Sequence, residues 1–287
     1  MEEDINMEDD INTEIQSKET QDQTEMWKRY FMHISYDGTD YHGWQRQLNS
    51  HSVQEEVEMA LRKLLRQTRV VSVGCGRTDA GVHARQFFLH FNAEKPIEDL
   101  DGFFFRLNMM LPKNIGIYKV WQVDNLAHAR FDAIERSYEY HLHQIRNPFI
   151  ERYSTFFPWE LDIEKMNEAA QLLLNYSDFA AFAKTGGGSR TTICDLRRAE
   201  WKSYEERMVF YITADRFLRN MVRAIVGTLL DVGRNRISNQ EFIDIIEGKS
   251  RSSASDSAAG RGLHLTQIIY PSFTADDLGN QKPTLRK

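Results

Sequence analysis

The chain has 287 residues, 41% hydrophobic and 27% charged, with a net charge of −6 at neutral pH; this suits one large or two smaller globular domains with a sizeable core. No run approaches the roughly 18 apolar residues of a membrane span, and the N-terminus lacks a basic-then-apolar signal pattern, so no membrane role and a cytoplasmic location are expected. Two cysteines, Cys75 and Cys194, without Cys-x-x-Cys or Cys/His ligand spacing, argue against a disulfide framework and a zinc site.

The negative charge is unevenly distributed. Residues 1 to 25 hold ten acids against the single base Lys18, which leaves 35 bases and 32 acids in residues 26 to 287. The first 26 residues therefore read as an acidic, disordered tail, and the remainder as mildly basic.

From Trp27 the run Lys-Arg-Tyr-Phe-Met-His-Ile-Ser-Tyr is strand-prone and ends at the turn Asp37-Gly38. The loop Thr39 to Gln47 mixes aromatics with amides and Arg46, a composition that stacks on bases or caps a core edge. Ser52-Val53-Gln54-Glu55 is a capping box, and Val53, Val57, Ala60, Leu61, Leu64 and Leu65 recur at helical spacing, predicting a helix from Val53 to about Gln67.

Next come a strand from Arg69 to Val73, the polar loop Gly74 to Ala84, and a strand from Arg85 to Phe91. The loop sets Arg77 two residues from Asp79 among glycines that permit sharp bends. Spacing alone favours a turn with a solvated ion pair; the chemical alternative makes Asp79 a reacting carboxylate. A helix from Asp99 to Met110 and a strand from Ile115 to Val123 complete a β-α-β-β-α-β order, the split arrangement of ferredoxin-like folds and RNA-recognition sheets.

A second unit starts near Asn125 to Arg130. Ile134 to Gln144 alternates as a strand, with Tyr138, Tyr140 and Leu142 on one face. A helix from Ile163 to Leu174 follows, then strands Ile193 to Trp201 and Met208 to Ala214, and a helix from about Arg216 to Asp231. Arg216, Arg219 and Arg223 would share one face of that helix, either as a solvated stripe or as a basic wall for phosphates. Ser238 and Glu241 cap a shorter helix ending at Gly248, and Leu263 to Tyr270 is the last strand. Ala183 to Arg190 is glycine-rich with Lys184 and Arg190 at its ends, without the order of a P-loop; it reads as a mobile loop near an anion or as a plain connector.

The run G-R-T-D-A-G-V-H-A at Gly76 to Ala84 closely resembles the signature of TruA-type tRNA pseudouridine synthases. The resemblance continues through Tyr36-Asp37-Gly38, Gly43 to Gln47, Ser52 to Glu55, His128 to Phe131, Arg136 to Tyr140, Met221-Val222-Arg223, Ile225-Val226-Gly227 and Gly262-Leu263, covering most of the chain after the tail.

It implies an α+β protein of two ferredoxin-like halves whose mixed, mainly antiparallel sheets join around a central cleft: residues 27–127 carrying the catalytic loop, residues 128–275, and a polar tail at 276–287. It implies uridine isomerisation at positions 38, 39 and 40 of the tRNA anticodon stem-loop, a homodimer, and no metal or organic cofactor. By motif, Asp79 resembles the nucleophile, Arg77 its positioning partner, Arg223 a second cation beside the carboxylate, Tyr138 the residue stacking on uracil and a candidate base, and Leu263 an apolar wall. Arg46, Arg85, Lys184, Arg190, Arg216 and Arg219 are candidate RNA contacts.

The chemistry explains these residue types. Breaking N1–C1′ and rejoining uracil through C5 calls for a nucleophile that holds one fragment while the other turns, which a carboxylate can do whether it attacks C1′ or C6. Burial penalises its charge and a planar guanidinium offsets that penalty. The chain departs from the family pattern at Arg85-Gln86, Arg261 and His264. A non-catalytic RNA-binding protein is the strongest rival from another class, and an overlapping specificity within the family is the main alternative. An Asp-dependent phosphohydrolase is disfavoured because Asp79 has no acidic neighbour within ten residues.

Overall fold

A computed structural model describes residues 27–188 and 190–271; the expected tails at 1–26 and 276–287 lie outside the described residues. The strands are β1 (Lys28–Tyr36), β2 (Ser72–Gly74), β3 (His83–Ala93), β4 (Ile115–Val123), β5 (Glu135–His143), β6 (Thr155–Phe156), β7 (Leu196–Ser203), β8 (Met208–Ala214) and β9 (Leu263–Ile269). The α-helices are α1 (Val53–Leu65), α2 (Leu100–Met110), α3 (Ile163–Leu172), α4 (Met221–Gly233) and α5 (Asn239–Gly248).

These strands form one sheet in the order β4-β1-β3-β9-β5-β8-β7, with β2 on β3 and β6 on β5. Most pairings are antiparallel, but the seam between the halves is parallel: His83 pairs with His264 and Ala84 with Leu265 where β3 meets β9. The last strand thus lies between β3 and β5 and welds the halves together. That closure was not legible from local pattern, because it depends on a pairing across some 180 positions.

The strand faces follow alternation. Tyr138 lies opposite Leu265 on one side and Ile212 on the other. The apolar residues collect in two clusters. One contains Val57, Leu61, Phe87, Phe91 and Leu107; the other contains Met166, Phe210, Ile225, Leu229 and Phe242. Tyr138 packs against both, so it sits where the two cores meet. Among the described residues no helix is long and apolar enough to cross a membrane.

Capping explains most helix starts. Ser52 accepts from Glu55 N–H, Asp99 from Gly102 N–H and Asp162 from Lys165 N–H, while Ser238 and Glu241 form the full reciprocal box. The expected helix from Arg216 is corrected: α4 begins only at Met221, after Asn220 in the left-handed region at φ 67°. Asn tolerates that conformation, and its side chain donates to Ser257 Oγ at 2.6 Å. Arg216 and Arg219 therefore precede the helix and share no helical face with Arg223.

Candidate active site

The Asp79 loop connects β2 to β3 and is anchored from beneath. The buried Thr78 Oγ1 accepts from Trp44 N–H at 3.1 Å and lies 2.9 Å from Tyr36 Oη. The tyrosine and tryptophan belong to an aromatic group with Phe87, so the loop rests on a rigid floor. Val82 N–H donates to Asp79 O at 3.2 Å and tightens the turn itself.

Two glycines pack closely on this loop. Gly43, at φ +92°, passes so close that a Cβ there would stand 2.2 Å from Thr78 O. A Cβ on Gly260 would stand 2.2 Å from Ala80 O. Both contacts are backbone against backbone, which a side chain cannot enter without moving the loop.

The carboxylate faces the other half of the molecule. Arg223, in the first turn of α4, donates from Nη1 to Asp79 Oδ2 at 2.9 Å, and the two side chains are 22% and 25% exposed. Arg223 Nε donates to Ala258 O at 2.7 Å while Ala258 N–H donates back to Arg223 O at 2.9 Å. The guanidinium is thus held from behind while one of its terminal nitrogens serves the carboxylate. A charge-assisted bond of this kind contributes about 1.5–3 kcal/mol.

Tyr138 lies in the floor between the halves, partly exposed, with the Phe217 ring edge-on to it at 5.1 Å and 88°. Burial raises its phenol pKa, and the nearby charge of Asp79 adds to that rise while Arg136 opposes it. The phenol is therefore neutral around physiological pH and close enough to Asp79 to feel its charge. Leu263 is buried, pairs with Tyr140, and packs in the same cluster as Val82.

The structure thus brings Asp79, Arg223 and Tyr138 together, with Leu263 in the same apolar cluster as Val82, which ends the Asp79 loop. Arg77 is exposed, and like Arg136 and Arg216 it lies close enough to Arg130 for its charge to act there. Burial lowers the Arg130 pKa, and those three neighbouring cations lower it further. Such a concentration of positive charge suits polyanion binding.

The remaining basic candidates are scattered. Arg46 is half-exposed and 3.8 Å from Glu58. Lys184 is exposed, and its N–H donates to Arg219 O at 3.0 Å, so the glycine-rich loop docks on the segment before α4. Arg190 and Arg219 are exposed, whereas Arg216 is half-buried. Arg85 pairs with Glu139 at 3.2 Å and lines a polar cavity of about 420 Å³ with Ser137, Tyr138, Arg198 and Tyr211. Neither Asp79 nor Arg223 lines that cavity.

Sequence reasoning missed Arg130, Arg136 and Phe217 as site residues. The first two stood in the quoted motifs His128 to Phe131 and Arg136 to Tyr140, but a motif does not say which way a guanidinium points. Among the described residues, no group of three His, Cys, Asp or Glu side chains is placed to hold a metal ion.

Residues 169–271 match the family model described as tRNA pseudouridine synthase. The chain is similar to tRNA pseudouridine synthase A of Bacteroides fragilis, with 48% identity over 245 residues, covering 85% of this chain and 97% of that protein. It is 46% identical over 244 residues to tRNA pseudouridine synthase A of Parabacteroides distasonis, covering 85% and 96%. The protein of the same name from Francisella tularensis is 38% identical over 252 residues, covering 86% and 96%.

Proposed function

The chain belongs to the tRNA pseudouridine synthase family and isomerises uridine to pseudouridine in tRNA, and we propose that it acts at positions 38, 39 and 40 of the anticodon stem-loop, through covalent catalysis by Asp79 on a flipped-out nucleotide. The observation that carries the catalytic part is the Asp79–Arg223 ion pair, formed between the two halves beside the partly exposed face of Tyr138.

The target nucleotide leaves its stack, at a cost of a few kcal/mol, and its uracil lies against Tyr138. Asp79 then attacks either C1′, with the N1–C1′ electron pair departing on uracil, or C6 of the ring. In either route N1–C1′ breaks, the base turns, C5 bonds to C1′, the bond to Asp79 is released, the C5 proton leaves and N1 takes up a proton. Arg223 supplies the countercharge that keeps the nucleophile in place, and Tyr138 is positioned to take the proton, directly or through water. Leu263 and Val82 contribute apolar walls that exclude solvent from the reacting atoms.

The RNA backbone lies across Arg77, Arg130 and Arg216, with Arg46, Arg85, Lys184, Arg190 and Arg219 as outer contacts. The crowding of like charges around the exposed Arg130 favours an anion there. The homodimer that the family resemblance implies belongs to the same proposal.

The site assignment is tested with unmodified anticodon stem-loop transcripts carrying uridine at position 38, 39 or 40 alone. Pseudouridine is expected in each, and modification confined to uridines outside the anticodon arm of whole tRNA would refute the assignment.

A further inference from the structure

We propose that Arg136 is a positioning residue for the uridine platform: it locks the segment before α4 onto β5 so that Phe217 buttresses Tyr138. The inference rests on the reading that Tyr138 carries the target base.

Arg136 and Tyr138 are two residues apart on β5 and therefore share a sheet face. The terminal nitrogens of Arg136 are occupied by main-chain carbonyls. Nη1 donates to Ala133 O at 2.6 Å and to Asp215 O at 2.7 Å; Nη2 donates to Arg130 O at 2.7 Å and, at the longer distance of 3.5 Å, to Cys75 O. A guanidinium has four terminal N–H groups, so this fork is fully used within the protein. Arg136 therefore differs from Arg77 and Arg130 in having no terminal donor to offer a phosphate.

The four carbonyls belong to three separate segments: the loop before β5, the segment entering α4, and the start of the Asp79 loop. Asp215 is pinned a second time, since its Oδ1 accepts from Asp195 N–H and Arg216 N–H, both at 2.7 Å. Phe217 follows two residues later and meets the Tyr138 ring edge-to-face. An edge against one part of the ring fixes its tilt and leaves the remaining surface for a stacked base. The clamp on Asp215 thus reaches the platform through two residues of chain. Lysine cannot substitute, because a tetrahedral ammonium with three donors cannot bind four carbonyls arranged around a planar fork.

The test uses full-length protein and unmodified tRNA under single-turnover conditions, with Kd measured separately. Arg136→Lys is expected to slow turnover about tenfold or more while Kd changes less than about threefold, as a displaced reacting group does. Phe217→Leu leaves the clamp intact and is expected to give the same pattern. The double variant is expected to be slowed within about threefold of the slower single variant, because both changes act on one contact. Should Arg136→Lys fail to fold, Phe217→Leu decides alone: turnover within twofold of the parent overturns the proposal. Multiplicative losses in the double variant, or an Arg136→Lys enzyme with unchanged turnover, also overturn it. A parent protein that turns over no tRNA uridine overturns the functional reading and this proposal together, whereas Tyr138→Leu with unchanged binding and turnover refutes the platform itself.

Discussion

Arg223 donates to Asp79 at 2.9 Å across 144 positions of sequence, so the charged pair exists only when both halves are assembled on the common sheet. Arg223→Lys keeps the charge but loses the simultaneous hold of Nε on Ala258 O and Nη1 on the carboxylate. It is expected to lower kcat about 10- to 100-fold with a smaller change in KM. Arg223→Met, which strands a half-buried carboxylate, is expected to lose more, as steady-state kinetics of both variants would show.

Tyr138 has two separable roles. Tyr138→Leu removes the stacking surface and is expected to reduce kcat/KM about 5- to 100-fold. Tyr138→Phe keeps the ring and is expected to retain tRNA affinity while losing about 100-fold in single-turnover rate, the signature of a missing proton acceptor. Full turnover by Tyr138→Phe would leave stacking as its only role.

The close pass of Gly260 over Ala80 makes the chain crossing α4 a fixed strap on the catalytic loop. Gly260→Ala forces a Cβ against Ala80 O and is expected to destabilise the fold by about 1–3 kcal/mol and to slow turnover, because Asp79 is the adjoining residue. Gly248→Ala is the matched control: its Cβ would enter open space at the end of α5, and stability should stay level or rise by about 0.4–1 kcal/mol. Urea unfolding and turnover of the two variants make the comparison.

Acid sensitivity should begin near pH 6.5. Burial holds His33, His90 and His264 at pKa values of about 4, 3 and 2. His264 is stacked on His83 and lies against His141, and Arg85 also disfavours its charge. The unfolded chain takes up these protons below about pH 6.5 while the folded chain does not. Stability is therefore fully present above that pH and is lost as pH falls toward the folded values, at about 1.4 kcal/mol per unit for each such histidine. His264→Phe should make urea-derived stability between pH 6 and pH 5 shallower by one such increment. An unchanged slope would mean that His264 is protonated in the folded protein.

Much of this arrangement was legible in the residues because local chemistry determined it. Three side-chain caps and one capping box start four of the five α-helices among the described residues, and alternation assigned Tyr138 to the correct face of β5. The start of α4 was misjudged because Arg216, Phe217 and Arg219 have no local property that forbids a helix; the left-handed Asn220 is fixed by its tertiary bond to Ser257. The β3–β9 seam and the Arg136 clamp were equally hidden, since each joins segments far apart in sequence. The exposed position of Arg77 could not be read either, because spacing of two residues from Asp79 is compatible with both pairing and divergence.

The most direct measurement is tritium release from tRNA carrying uridine tritiated at C5, compared between the parent protein and Asp79→Asn. Asparagine preserves the shape of the side chain but removes its charge and nucleophilicity. Release of label by the parent and none above background by Asp79→Asn is the expected result. Equal release from both proteins would contradict the assignment of Asp79 as nucleophile, and no release from either would contradict the isomerase activity itself.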